Sequence, residues 1–490
     1  MRTVDSILEL AAAANPLGLA LTLGEESATF GQLQDEANRY AASLQAWGVG
    51  KGDVVLLRGR IAIRNVTLHF AMARIGAVFA PLDAGSSAAE LKQIVDYVCP
   101  RFIVSDEAGL DVAEQIAAGA GIPLAVLSDT DGSSVGTNLA KAAREYRGGA
   151  VERRSAPTDL HAMYFTSGST GRPKAVMVSH QASWLRAQVA QSLNSSRGMV
   201  CMFPLFHMAG WLVITQTWAQ GRPVHLVARA DADTLLGEVQ KWQASTLYAI
   251  PAVWRRILDC PNRYDTSSLL AVDAGTSYVG QDLIEALRVR FPGARNLVAY
   301  GSTEMGMGLQ IAHDDILRKP GSVGRPGPTV EARIVNGELQ LRGPTMMQGY
   351  YRLEAETAEV MDDGWYRTGD LAECDEEGFY TITGRWREII RSGGKTISPA
   401  ELDPLLKGLP GIADAAVVGL PDADWGETVS VAVVAVAGQS LPSLDDVRAH
   451  LGDVSAYKLP RRIVEVPEIP RTAATGQVRR GPLREMILAS

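Results

Sequence analysis

Cysteine is scarce in this chain. Cys99, Cys201, Cys260 and Cys374 lie far apart among 490 residues and form neither a C-x-x-C pair nor a metal-ligand spacing. They read as reduced thiols of a cytosolic protein, which excludes a disulfide framework or a zinc site. A surplus of positive charge is also lacking: the net charge is -8 and no basic stripe offsets it, which argues against nucleic-acid binding. No apolar run reaches the roughly 18 residues of a membrane span. The opening residues MRTVDSILELAAAANP are broken by Asp5 and Glu9, so an amphipathic first helix is expected instead of a leader peptide. No repeat of the solenoid kind is present. Lysine is sparse beside arginine, as in proteins from GC-rich bacterial genomes.

What remains is an ordinary globular composition, 46% apolar and 21% charged, in a chain too long for one core. About two to four units are expected. Residues 29–48 place Phe30, Leu33, Ala37, Tyr40, Ala41, Leu44 and Trp47 on one helical face, and Gly48–Gly52 ends that helix. Val54–Leu57 reads as a strand, Ile61–Ile75 as a helix and Ala77–Pro81 as a buried strand. Strand patterns at Ile103–Ser105, Leu124–Leu127, Val224–Val227 and Leu247–Ile250 keep alternating with helical ones, which predicts parallel α/β layers. From about Gly321 the texture turns to glycine, proline and alternating apolar residues (Ala332, Ile334, then Leu339, Leu341), with hairpin turns at Asn336-Gly337 and Asp375–Gly378. A last compact α+β unit follows, with strands at Ala415–Val418 and Val429–Val436 and helices at Pro399–Leu406 and Leu444–Leu451. The expected division is a large domain over 1–384, with a small β-rich part over about 321–384, a hinge at 385–387 and a small domain over 388–490.

The segment Tyr164–Lys174, YFTSGSTGRPK, stands out chemically. It follows the short apolar run Ala162–Phe165 and concentrates glycine, serine and threonine before Lys174. Small residues let a backbone wrap an anion, and hydroxyls and N–H groups supply donors. The spacing G-x-x-x-x-G-K-[ST] is absent, so this is not the common P-loop. Read by itself, the segment is either a phosphate-binding loop or a flexible surface turn.

Further stretches in chain order resemble the ANL superfamily of adenylate-forming enzymes, which includes acyl-CoA synthetases, adenylation domains and luciferases. The loop is similar to that family's phosphate loop, with Ala175 where glycine is usual. Pro204–Gly210 (PLFHMAG) resembles its acyl-pocket stretch, Asn296–Glu304 (NLVAYGSTE) its Y-G-x-T-E motif, and Tyr366–Leu371 (YRTGDL) its ribose motif. Gly384–Glu401 resembles the hinge and the loop after it, and Pro470–Arg480 the C-terminal motif. The resemblance spans nearly the whole chain. It implies a large domain of stacked α/β subdomains, a hinge and a small mobile domain. It also implies joining of a carboxylate to AMP followed by passage of the acyl group to a thiol, with CoA, ATP and Mg²⁺ as companions.

By the same resemblance, Thr166, Ser167, Gly168, Ser169, Thr170, Gly171 and Lys174 hold phosphates. Tyr300 stacks on adenine beside Gly301 and Ser302, Thr303 donates to the α-phosphate, and Glu304 is the oxygen ligand for Mg²⁺. Asp370 takes the ribose hydroxyls, and Arg385 reaches ribose or phosphate. His207, Met208, Trp211, Gly275 and Thr276 belong to the acyl pocket, with His207 gating the thiol. Ser392, Gly393 and Gly394 line the pantetheine tunnel, and Arg387 is the pivot. Gly275–Ser277 reads GTS where Gly-Gly-Ala is usual. Phe203–Trp211 contains no acid that would bind a substrate ammonium, so a plain carboxylic acid is expected.

One departure stands apart. The family's C-terminal motif ends in a lysine that bridges carboxylate and α-phosphate. Here Arg471–Gln477 reads RTAATGQ, with Gln477 in the lysine's place, one extra residue before it, and no lysine after Lys458. Arg479 and Arg480 are close in sequence, but a planar guanidinium is a poor substitute for a point charge. The expectation is an acyl-CoA-ligase-like enzyme that transfers an acyl-adenylate to CoA and has lost most of its own adenylation, with a separate adenylating enzyme as partner. The alternatives are a complete ATP-dependent ligase and a non-catalytic binder of acyl nucleotides.

Overall fold

The computed structural model describes residues 2–128, 137–149, 151–167, 173–189, 196–392, 395–406, 408–422, 424–452, 454–472 and 476–489. The chain forms two compact units. The first comprises Met1–Pro320, Pro326–Glu331 and Arg342–Met361; the second comprises Gly321–Arg325, Ala332–Leu341 and Asp362–Ser490. The β-rich stretch after Gly321 thus groups largely with the C-terminal residues, and 385–387 lies inside the second unit.

The first unit is α/β, as expected. One sheet runs, by neighbour, Thr137–Asn138, Leu124–Val126, Phe102–Ser105, Val54–Arg58, Val78–Leu82, Leu160–Ser167, Pro173–Ser179 and Gly349–Tyr350. It is parallel up to Leu160–Ser167 and antiparallel beyond. Its central strands are continuous apolar runs because helices cover both faces. A second parallel layer orders Arg295–Ser302, Ala271–Gly275, Thr246–Ala249, Met199–Cys201, Val224–Leu226 and Leu19–Leu23. The helix Phe30–Ala46 starts in a capping box between Thr29 and Gln32, and it buries Phe30, Leu33, Ala37, Tyr40, Ala41 and Leu44. Trp47 falls just beyond it and stacks on Phe102 at 5.7 Å. Asp5–Ala14 is the expected amphipathic helix; its buried Asp5 pairs with Arg153 at 2.6 Å.

In the second unit, Asn336 and Gly337 adopt φ of 52° and 83°, the double left-handed turn that joins Glu331–Val335 to Glu338–Arg342. The alternation read there is incomplete, because Glu338 and Gln340 are buried along with Leu339 and Leu341. A smaller sheet holds Lys395–Ile397, Ile390–Ser392, Gly426–Ala435 and Ile412–Asp422, with Arg462–Glu465 beside Gly426–Ala435. One face packs Val417, Val429, Val431 and Val433 on Leu402, Leu406, Val447 and Leu451; the other packs Ala416, Val418 and Ala432 on Leu483 and Ile487. The expected helix over 399–406 is one α turn, Pro399–Leu402, followed by a 3₁₀ turn, Asp403–Leu406. Pro404 removes an N–H there and stops the α ladder. Among the described residues no helix is long and apolar enough to cross a membrane.

Candidate active site

In the first unit, Leu160–Ser167 and Pro173–Ser179 form an antiparallel hairpin with Thr166 opposite Lys174. Gly168, Ser169, Thr170 and Gly171 lie outside the described residues, as does the side chain of Ser167. The Lys174 ammonium sits 4.8 Å from the centre of the Tyr350 ring. The Tyr350 hydroxyl in turn donates to Glu304 Oε1 at 3.0 Å. A cation, a ring and a carboxylate thus stand in a row.

Glu304 occupies a tight turn between Arg295–Ser302 and Gly306–Ala312. Gly301 is required in that turn, since a Cβ there would meet the Gly306 carbonyl oxygen at 2.1 Å. The turn is braced from behind: Arg186 Nη2 donates to the Glu304 carbonyl at 3.2 Å and its Nε to the Thr345 carbonyl at 2.9 Å, while the Met347 N–H donates to the Glu304 carbonyl at 2.6 Å. Burial pushes the Arg186 guanidinium down to about 10, still fully charged at neutral pH. Ser302 Oγ accepts from the Met305 N–H at 3.2 Å. Tyr300, Thr303 and Glu304 are half-buried in the same turn. Neither Tyr350 nor Arg186 stood out in the sequence. Both come from elements distant in the chain, and neither belongs to a local motif.

His207 caps the helix Met208–Ala219, with Nδ1 accepting from the Ala209 N–H at 3.2 Å. That bond puts the imidazole proton on Nε2, and burial holds its pKa down at about 4. The ring lies 6.5 Å from Phe203, and Phe203 lies 5.1 Å from Tyr248. Tyr248 meets Gly275: a Cβ on Gly275 would lie 2.6 Å from its hydroxyl. His207 and Gly275 are therefore linked through two aromatic rings. Trp211, on the same helix, has other partners. It is buried, donates to the Leu205 carbonyl at 2.7 Å and stacks on His69 at 4.0 Å. Thr276 holds φ of 66°, a glycine-like conformation, where the resembling family has glycine.

In the second unit, Asp370 and Arg385 are direct partners across Trp365–Cys374 and Tyr380–Arg385. Arg385 Nε donates to Asp370 Oδ1 at 3.0 Å; the carboxylate is buried and the guanidinium exposed. Buried Glu338, absent from the sequence reading, accepts from the Gly369 N–H at 3.1 Å and from Arg367 Nε at 3.0 Å, so it anchors the turn before Asp370. Arg387 is exposed. Ser392 is buried opposite Lys395, and Gly393 and Gly394 lie outside the described residues. The Gln477 N–H donates to Thr472 Oγ1 at 3.0 Å, and the Gln477 carbonyl accepts from the Thr472 N–H at 2.8 Å.

Among the described residues no group of three His, Cys, Asp or Glu side chains could hold a metal alone. A lone carboxylate such as Glu304 fits Mg²⁺, which favours one or two carboxylates with phosphate oxygens and water.

Residues 8–351 match the family model described as AMP-binding enzyme, and 401–475 match the AMP-binding enzyme C-terminal domain. Indoleacetate–CoA ligase of Aromatoleum aromaticum is 31% identical, over 96% of this chain and 95% of that protein. A feruloyl-CoA synthase from Amycolatopsis is 30% identical over 96% of each. The structure of ATP-bound MatB from Rhodopseudomonas palustris superposes with a TM-score of 0.88 at 26% identity, covering 99% of this chain and 98% of that one. The chain belongs to the AMP-binding enzyme family, within the ANL superfamily.

Proposed function

We propose that this chain is an AMP-forming acid–thiol ligase whose thioester-forming step outruns its adenylating step. In the first half-reaction a carboxylate oxygen attacks the α-phosphorus of ATP and pyrophosphate leaves. In the second, the thiol sulfur of CoA bonds to the acyl carbon, the C–O bond to AMP breaks, and the thiol proton is released. Lys174 would hold phosphate oxygens, the Thr303 hydroxyl would donate to the α-phosphate, and Tyr350 and Arg186 would keep Glu304 aimed. Mg²⁺ bound by Glu304 would neutralise phosphate charge. Asp370, fixed by Arg385 and by the turn anchored on Glu338, would accept from the ribose hydroxyls. His207, with its proton on Nε2, is a donor and gate and not a base for the thiol. The residues 385–387 would be the pivot of the C-terminal part, and Ser392, Gly393 and Gly394 would flank the pantetheine arm.

The observation that carries the weak first step is that no lysine follows Lys458 and that, among the described cations near Gln477 in sequence, Arg471 and Arg480 are held by carboxylates. That leaves the exposed Arg479, a planar guanidinium in place of a point charge. Arg480 is held by Glu388 at 2.6 Å and by Asp403, Arg471 by Asp414 at 2.8 Å, and Lys458 by Glu401. Adenylation brings one anion onto another, so a missing donor costs about 10²–10³ in rate. Transfer starts from a mixed anhydride and a thiol and has no such need. A separate adenylating enzyme would then supply the acyl-adenylate. A second reading, a complete ATP-dependent ligase, is favoured by the intact row Lys174–Tyr350–Glu304. The retained Thr303, Glu304 and Asp370 argue against a mere binder. A bulky or alicyclic acid of a dedicated bacterial biosynthetic route suits the first reading. To separate the readings, acid with ATP, Mg²⁺ and CoA is compared with synthetic acyl-adenylate and CoA. Acyl-CoA from the adenylate alone supports the split enzyme; similar yields from both establish the complete ligase.

A further inference from the structure

The second sheet has two distinguishable faces. Trp242 of Ala232–Trp242 stacks on His225 at 5.2 Å, which puts that helix on the face carrying His225, Val200, Leu247 and Val272. Gln216 and Thr217, on the helix capped by His207, touch the Met199 sulfur at 3.7 and 3.8 Å. That helix therefore lies on the opposite face, with Met199, Cys201, Tyr248, Asp273 and Gly275, because side chains alternate along a strand.

Asp273 is anomalous on this face. It is 1% exposed, and neither carboxyl oxygen makes a well-aligned hydrogen bond; the Leu297 N–H is its nearest backbone donor. Buried polar groups are nearly always paired, and leaving a carboxyl bare is costly. Burial holds it up at about 7, with the Arg295 charge and the Leu297 N–H working against the shift without cancelling it. Its direct neighbour across the strands is Tyr248, whose hydroxyl sits over Gly275 and whose ring meets Phe203. In parallel α/β sheets ligands bind at the carboxyl ends of strands. Gly275 is at that end of Ala271–Gly275, and Asp273 lies two residues deeper, about 6–7 Å, on the same side. A Cβ at Gly275 would collide with the Ala299 carbonyl and the Tyr248 hydroxyl, so only glycine lets that hydroxyl take its place at the strand end.

We propose that Asp273, with Tyr248, forms the polar floor of the acyl pocket and selects an acid whose far end carries a hydrogen-bond donor, a hydroxyl or an amine. This rests on the acyl-adenylate reading above. It leaves the α-carbon plain, since no acid lies in Phe203–Trp211 beside the reacting end. It also explains why a poorly paired carboxyl is retained at this depth: the substrate supplies its partner.

The test uses the full chain and non-hydrolysable acyl-sulfamoyl adenosines. The acyl groups are 3-phenylpropanoyl and its 4-hydroxy and 4-amino forms, and binding is measured by titration calorimetry. The wild-type chain should bind at least one donor-bearing analogue about tenfold or more tighter than the parent, the scale of a hydrogen bond to a charged or buried acceptor. Asp273→Leu should erase that preference, and Asp273→Asn, equal in size but uncharged, should weaken the amino analogue. Equal binding of parent and donor forms by the wild-type chain overturns the proposal, as does a preference that survives both substitutions. If Asp273→Leu fails to fold, the wild-type ratio and Asp273→Asn still decide. Failure of every analogue to bind contradicts the acyl-adenylate reading itself and is thereby distinguished from failure of the donor preference.

Discussion

The turn around Glu304 and the turn around Gln477, which the proposed function assigns to opposite ends of one chemistry, are built differently. At Glu304 the backbone is clamped by Arg186 and Met347, the side chain by Tyr350, and Lys174 stands over that same ring. At Gln477 the backbone is equally tight, closed by Thr472, yet Arg471 and Arg480 are each spent on carboxylates. Preorganised donors cost nothing at the moment of reaction, whereas a charge already paired must be withdrawn from its partner first. On the proposed reading, the C-terminal motif keeps its backbone and loses its chemistry.

The largest expected effect that sharpens this contrast is Glu304→Ala. Introduced into Gln477→Lys, where ATP-dependent acyl-CoA formation is expected to be measurable, it should lower that rate by about 10²–10³ while lowering transfer from supplied acyl-adenylate far less, as read in parallel assays. Tyr350→Phe removes only the hydroxyl that holds Glu304. In the same Gln477→Lys background it should cost about 1 kcal/mol, roughly fivefold in the ATP-dependent rate, with Lys174 still over the ring. Acid should weaken the first unit. His69 is held at about 3, and His180, His207 and His225 at about 4, all by burial. Unfolded histidine titrates near ~6.5, so between that value and about 4 the unfolded chain binds protons that the folded chain refuses. This stability is complete above pH ~6.5 and falls as pH drops. Asp273, raised to about 7, opposes the trend by a single proton. The urea midpoint should therefore fall steadily from pH 7 to pH 4.5; a flat profile would show these rings to be hydrated. The smallest effect is at Thr276, where Thr276→Gly should relieve the strain of φ 66° and stabilise the chain by about 1 kcal/mol, seen as a higher Tm.

The α/β layers were legible because buried parallel strands and amphipathic helices leave periodic patterns. Val54–Leu57 and the face of Phe30–Leu44 needed no tertiary information. The turn at Asn336-Gly337 was legible for a local reason, the backbone both residues permit. Tyr350, Arg186, Glu338 and Asp273 were not legible. Each matters through a partner far away in sequence, and a lone Tyr, Arg, Glu or Asp carries no local signature of that partner. Trp211 was given an acyl-pocket place by its motif; its stacking on His69 and its bond to the Leu205 carbonyl were not legible there.

The most direct test is pyrophosphate exchange into ATP by the wild-type chain and by Gln477→Lys, using the acid whose adenylate analogue binds best. The account predicts exchange near background in the wild type. It predicts a rise of about tenfold or more in Gln477→Lys, with CoA transfer from supplied adenylate unchanged. Wild-type exchange as fast as its own CoA transfer would contradict the account and establish a complete ligase that works without that lysine.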